Sequence, residues 1–472
     1  MMYLEGSAIK SKFGCIVTFA ATIILCLTYH LKIYRSISTE SMFVLFSVPI
    51  LLLSILAAPI GSLPDEPAHL QRIYLISTGQ IFPSAEKSFL IPAGFLDGLG
   101  SSTISSLLKE QFNNISEELV VCDASFATGI YPVTSYMVQA LAMKILMALT
   151  KNRIIIFYGV RLLTGLFVLA GIYFSMKMVP EKFKMLIILI SIIPGTIKSI
   201  TCASADGMSI LSVILLCSFI IHYRENETQF TVWHNLALFV LTFFTISSKF
   251  LYSPMVISIF AIPYERWETK KKKNVALVSI LLLNLTFIIG WTAYCYSTYV
   301  GGRDSNINGI LPQLTYILSH PLYYICVLLN TIVPNLWSYI LETFCAYSDA
   351  SYEAYIFVLA IIFTVIAGTS FIDGKKNYVL SRDNRRFFIL CAVISIFVVF
   401  TALYVDWTPY GEPYINGIQA RYFIPLLYPI FAAFISVEKN SAEKNTRFYR
   451  CLLFLALIDV KIFITNFTFL LF

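Results

Sequence analysis

The stretch Leu63-Pro64-Asp65-Glu66-Pro67-Ala68-His69-Leu70-Gln71-Arg72 comes directly after an apolar run from Ser41 to Gly61. The run reaches the roughly 20 residues that a spanning helix needs. The stretch itself sets two adjacent carboxylates, with a histidine one helical turn on, at a membrane exit: a compact acid/base cluster. Pro67 suits a first turn, so Pro67 to Thr78, closed by Gly79, reads as a short helix. It is too short to cross and lies along the interface, with the acidic pair at its N-terminal end.

Composition excludes a soluble globule. Of 472 residues, 58% are hydrophobic and 13% charged, and the mean hydropathy of +0.76 marks a polytopic integral membrane protein. The run from Phe13 to Leu31 reads as a retained helix, because Lys32 and Arg35 come after it rather than a small-residue cleavage site. The formal charge of +7 sits in short loops, where Lys and Arg set topology, and gives no reason to invoke nucleic acid. Ten cysteines lie mostly inside apolar runs without CxxC spacing, so neither a disulfide framework nor a metal site is inferred. Cys122 and Cys345 both fall outside the membrane, which leaves one bridge open to them without other support.

Basic clusters fix the sidedness. Glu265 to Lys273, then Lys375, Lys376, Arg382, Arg385 and Arg386, then Lys439, Lys444, Arg447 and Arg450 belong on the cytoplasmic side. With Lys32 and Arg35 also inside, the helix Ser41 to Gly61 exits, and residues 62–125 form an outer loop that carries Asp65 and Glu66. Four apolar stretches lie between Thr128 and Ile221, and parity requires that one does not cross. It is either the Tyr131 stretch or the one broken at Pro194-Gly195; the positive charge of Lys177 to Lys184 favours the first. By the same parity, Pro321 to Phe344, interrupted by Pro334 within an outer region 297–353, is re-entrant, a tight hairpin or interfacial. The expectation is a single all-α membrane domain of about 12 spans.

Four polar sites then fall near the outer face: Asp65-Glu66-His69, Asp206, Lys249 with Tyr252, and Gln419-Ala420-Arg421-Tyr422. Ionisable side chains at membrane depth need a partner or a wet cavity, and convergence on one side argues for one shared cavity. Each also has a structural role open to it. Asp65 and Asp206 stand where helix caps stand, and capping is the expectation for Asp206. Lys249 can snorkel to the interface, and a lone His69 without a second histidine does not make a zinc site. Arg421, at a helix start, opposes the macrodipole and so calls for an anion.

Taken together, Pro64-Asp65-Glu66-Pro67-Ala68-His69, Tyr131-Pro132-Val133-Thr134-Ser135-Tyr136, Arg161-Leu162, Ser204-Ala205-Asp206-Gly207, Lys249 to Tyr252 and Gln419 to Pro425 resemble an uncharacterised bacterial family of polytopic membrane proteins. That family, a domain of unknown function, is similar in layout to the GT-C glycosyltransferases. Ala420 departs from the glycine expected there.

The resemblance implies a GT-C-like bundle in the bacterial inner membrane with its active site on the extracytoplasmic face. It would move a sugar from a polyprenyl-phosphate donor to a cell-envelope glycan acceptor. Asp65 takes the place of the general base with Glu66 in reserve, while Arg421 and Lys249 meet the lipid phosphate and His69 orients Asp65 or touches phosphate. Asp206, Tyr252, Gln419 and Tyr422 complete the substrate-binding candidates. No cofactor is required; a divalent ion, Mg or Mn, would need Asp65, Glu66 and Asp206 to meet. A lipid-linked-sugar transporter or a non-catalytic scaffold are the alternatives. Charges gathered at one face, without a visible repeat, favour the enzyme.

Overall fold

The computed structural model describes residues 37–82, 88–96, 114–123, 126–298, 310–345, 352–368, 380–435 and 441–471, with the isolated residues His30 and Leu99. The rest of the N-terminal apolar run, and with it Lys32, Arg35, Lys375, Lys376 and Lys439, lies outside them.

Helix α1 (Thr39–Ala57) starts at Ser38, whose hydroxyl accepts from the Ser41 amide at 3.1 Å, a serine cap. After the Pro64–Asp65 turn comes the short α2 (Glu66–Ser77). An antiparallel ribbon, β1 (Ser88–Pro92) on β2 (Leu119–Asp123), pairs Leu90 with Val121. The remaining helices are α3 (Met137–Leu149), α4 (Arg153–Met178), α5 (Glu181–Ser191), α6 (Pro194–Thr201), α7 (Asp206–Glu225), α8 (Val232–Ser248), α9 (Lys270–Thr298), α10 (Ile310–Ser319), α11 (Pro321–Cys345), α12 (Tyr352–Gly368), α13 (Arg382–Asp406), α14 (Ile424–Ala432) and α15 (Ser441–Leu471). A 12-residue 3₁₀ helix, Phe250–Ala261, comes after α8, and a short 3₁₀ turn, Ala420–Phe423, precedes α14.

Six of these helices are long and apolar enough to cross a membrane, or seven if α5 and α6, bent by 71°, form one span. The expected figure of about 12 is not reached among the described residues. Helices α3, α8, the 3₁₀ helix and α14, with 13, 17, 12 and 9 residues, are shorter and are not counted among the six. Helix α7 is the central one, with 83% of its apolar window buried; α9 and α11, at 17%, turn most of their surface outward.

The bundle has two chemically distinct ends. At one, Arg266 Nε donates to the Tyr223 carbonyl, the Phe230 amide to the Arg266 carbonyl, and His222 Nδ1 lies 2.7 Å from the Met178 carbonyl. Lys184 joins Glu40 there, so the starts of α1 and α5 belong to the same end. At the other end are Asp206, Ser248 and Tyr136. Asp206 to Arg224 is 19 residues of α7, so the two ends stand about 28 Å apart at 1.5 Å per residue.

This geometry identifies the stretch that does not run end to end. Helix α3 starts at Tyr136 and finishes at Lys151 and Asn152, which pair with Ile115 and Asn114 of the outer loop. Helices α4, α5 with α6, and α7 connect the ends, as the charge of Lys177 to Lys184 favoured. Helix α11 is continuous through Pro334 and is not a hairpin. Its early turns meet the Gly411 and Pro413 carbonyls and its last turn meets the Ala420 carbonyl, so it runs alongside the 409–420 segment. Cys122 and Cys345 are both free thiols.

Close approach of α6 to α11 shapes the site. A Cβ built on Gly195 would lie 2.1 Å from the Thr343 carbonyl oxygen, a backbone atom that cannot swing aside. Gly195→Val is therefore expected to force the two helices apart and cost about 1–3 kcal/mol. Thermal unfolding of the purified variant in detergent checks this; an unchanged midpoint would mean that the helices do not touch.

Candidate functional site

Glu66 and Arg161 form the foundation. Arg161 reaches from α4 with Nε on Glu66 Oε1 (2.7 Å) and Nη2 on Oε2 (2.5 Å), and both side chains are 1% exposed. Two further guanidinium hydrogens go to the carbonyls of Ala58 (2.6 Å) and Pro59 (2.8 Å). Glu66 also accepts from the amides of Gly61 (2.8 Å) and Ala203 (3.3 Å). Its carboxylate is thus saturated by four donors, and the first turn of α2 is clamped to the ends of α1 and α6.

Asp65 takes the other direction. It occupies the position before α2 with φ of 56°, in the left-handed region, and makes no side-chain capping bond. Instead its Oδ2 accepts from Gln419 Nε2 (3.1 Å) and from Arg421 Nη2, while Arg421 Nη1 donates to the Pro64 carbonyl (2.7 Å). The segment that carries these partners turns at Gly417, whose φ of +77° and contact with the Trp407 indole leave no room for a Cβ.

Arg421 also reaches Asp206, with Nη1 3.3 Å from Oδ2, and Asp206 in turn pairs with Lys249. Ser204 completes that carboxylate, its hydroxyl donating at 3.0 Å and accepting from the Asp206 amide at 3.2 Å. Asp206 therefore binds cations rather than capping α7. Lys249 sits in an extended break between α8 and the 3₁₀ helix, 1% exposed, and does not snorkel. Its ammonium lies 4.8 Å from the Tyr422 ring centroid and 5.8 Å from that of Tyr131, a cation–π setting. The Tyr252 hydroxyl donates to the Tyr422 carbonyl at 3.0 Å and fixes that ring's backbone.

These groups form a ladder of falling exposure. Side-chain exposure is 49% at Asp65, 10% at Arg421, 3% at Asp206 and 1% at Lys249. Asp65 is thus the carboxylate that a solute can meet. For Arg421, burial works against its charge, but Asp206 with Tyr422 and Asp65 outweighs it and holds the pKa above the ordinary value. His69 is buried beside the cluster, its Nδ1 2.6 Å from the Tyr136 hydroxyl. Burial, aided by the Arg421 cation, pushes its pKa down to about 3, so the imidazole stays neutral. It orients Tyr136 rather than Asp65.

A cavity of about 350 Å³ opens beside this ladder, lined by Lys198, Cys202, Asp206, Glu342, Gln419 and Arg421 among others, with Pro64 at its rim. Glu342 Oε2 accepts from the Ala420 amide at 3.3 Å. Asp65, Asp206, Gln419 and Arg421 are brought together as the sequence led one to expect. Glu66 is held apart by Arg161, and Lys249 lies behind Asp206. Among the described residues, no three His, Cys, Asp or Glu side chains form a group that could hold a metal ion. Sequence reasoning assigned no role to Arg161, Lys198, Ser204, Tyr136 or Glu342. For Arg161 and Lys198 the signal was available, as each is a cation within an apolar helix and so in need of a partner.

Comparison with known proteins gives one match: a family model described as predicted membrane protein (DUF2142) matches residues 48–430. No match was found among curated proteins or among solved structures.

Because Glu66 and Arg161 are both buried, removing one leaves the other charge uncompensated. Glu66→Gln is expected to destabilise the fold by about 3–5 kcal/mol, whereas half-exposed Asp65→Asn changes it little. Thermal melting of the two variants side by side separates the roles, and equal melting points would refute the division.

Proposed function

The chain belongs to the DUF2142 family of predicted membrane proteins, and on that premise we propose that it is a GT-C-type glycosyltransferase. It moves a sugar from a polyprenyl-phosphate donor to a cell-envelope glycan acceptor, and it works on the extracytoplasmic face of a bacterial inner membrane. The observation that carries the proposal is the Asp65–Arg421 ion pair. An early outer-loop carboxylate and a late-chain guanidinium, 356 residues apart, meet at the rim of a cavity. The positive-inside rule supports the sidedness, since Arg224, Arg266 and Lys270 to Lys273 gather at the opposite end of α7. A GT-C layout with about 12 crossings belongs to the same proposal.

In this reaction Asp65 accepts the proton of an acceptor hydroxyl as that oxygen attacks the anomeric carbon. The bond from that carbon to the phosphate oxygen breaks, and the lipid phosphate leaves with the electron pair. The configuration inverts. The leaving phosphate needs charge stabilisation more than a proton, and Arg421 supplies it with a fork suited to two phosphate oxygens. Asp206, itself fixed by Lys249 and Ser204, aims that fork. Lys249 thus acts one layer back, and neutral His69 with Tyr136 packs the wall.

Reconstituted in vesicles and offered a panel of polyprenyl-phosphate sugars, wild-type chain is expected to yield glycosidic product. Asp65→Asn should lower turnover by about 10²–10⁴-fold with the fold intact. Full turnover by that variant removes Asp65 from the chemistry, and translocation of the donor without product would make the protein a transporter.

A further inference from the structure

We infer that the cavity beside Arg421 is a two-cation site for a lipid-linked phosphate ester, with Lys198 as its second cation. This rests on the transferase reading above and adds to it a residue that the motifs do not point to.

Lys198 belongs to α6, a helix in which Pro194, Gly195, Thr196, Ile197, Ser199, Ile200 and Thr201 are all buried. A lysine in such a helix is costly unless its ammonium faces a polar space, and Lys198 lines the same cavity as Arg421. Gly195 locks α6 against the backbone of α11 at Thr343, so the ammonium is carried on a rigid wall.

Of the carboxylates, Asp206 and Glu342 line the space and Asp65 pairs with Arg421; of the cations, Lys198 and Arg421 line it and Lys249 stands behind Asp206. Lys249 and Ser204 already serve Asp206. That leaves Lys198 and Arg421 facing Glu342 and Asp65. Of these two carboxylates, Asp65 is half in solvent and is the group that an incoming anion displaces from Arg421. A phosphate held between Lys198 and Arg421 would release the Asp65 carboxylate at the rim, where a general base is wanted. Ser62 and Ser199 line the same space, their hydroxyls donating to the Pro59 and Gly195 carbonyls. That the ester carries an alkyl chain comes from the transferase reading.

The test uses the full chain in detergent with farnesyl phosphate as the probe, followed by calorimetry. Wild type is expected to bind farnesyl phosphate saturably and farnesol not at all. Lys198→Gln should weaken binding by about tenfold or more, and Lys198→Arg should stay within a few-fold of wild type. Inorganic phosphate binding as tightly as farnesyl phosphate would overturn the lipid-ester assignment. Wild-type affinity in Lys198→Gln, with affinity lost in Arg421→Gln, would overturn the role of Lys198 and leave the transferase reading standing. Wild-type affinity in both variants would sink both. A measurement that needs no substitution runs in parallel: farnesyl phosphate should shield Lys198 from acetylation, read by mass spectrometry, and equal labelling with and without it overturns the proposal.

Discussion

A guanidinium and a carboxylate with almost no access to water, Arg161 and Glu66, hold the Asp206 end of this bundle together. Inside a membrane protein an unmatched charge has no solvent to fall back on, so such a pair persists only where every donor and acceptor is served. Here they are. Carbonyls from the end of α1, amides from Gly61 and Ala203, and the first turn of α2 all converge on the two side chains. The chain between α1 and α2 is thereby fixed in direction as well as in place. Everything at the site, from the exposed face of Asp65 to the packing of α6, is built on that junction.

From the junction outward the charges are graded rather than clustered. Lys249 and Asp206 sit deepest and satisfy each other, with aromatic rings over the ammonium and a serine on the carboxylate. Arg421 bridges the buried carboxylate and the half-exposed one. Asp65 alone meets solvent appreciably. Such an order separates two jobs that one carboxylate cannot do together: Asp206 keeps a cation in place, and Asp65 stays available. Four places far apart in the chain, the start of α2, the start of α7, the break after α8 and the Ala420–Phe423 turn, are needed to make this gradient.

Much of this was legible in the sequence, because charge in an apolar chain is conspicuous. The motifs at Asp65, Asp206, Lys249 and Arg421 stood out for that reason, and the structure brings them together. What was not legible was the pairing. Nothing in the local spacing says that Glu66 turns to Arg161 while its neighbour turns to Arg421, since both carboxylates share one helix start. Asp206 read as a cap and snorkelling stood open to Lys249, because capping and snorkelling are local habits, whereas their mutual contact spans 43 residues. The span count differs for a related reason: α3 and the 3₁₀ helix Phe250–Ala261 are largely apolar, and composition alone cannot show that they are helices of only 13 and 12 residues.

The backbone at Asp65 shows what the fold gives up for this arrangement. An aspartate one residue before a helix ordinarily accepts a bond from the helix's first amides, an interaction typically worth about 1 kcal/mol. In the left-handed conformation at φ 56° that bond is absent, and a residue with a Cβ is also strained there. Two local losses at one residue require compensation from outside it. The clamp on Glu66 fixes the next residue, and Arg421 on the Pro64 carbonyl fixes the one before. Asp65 is thus held in a conformation it would not choose, with its carboxylate on Arg421 and Gln419, which line the cavity, instead of on a helix end. Helix stability would be better served by the capping geometry, so the arrangement answers to the cavity and not to the helix.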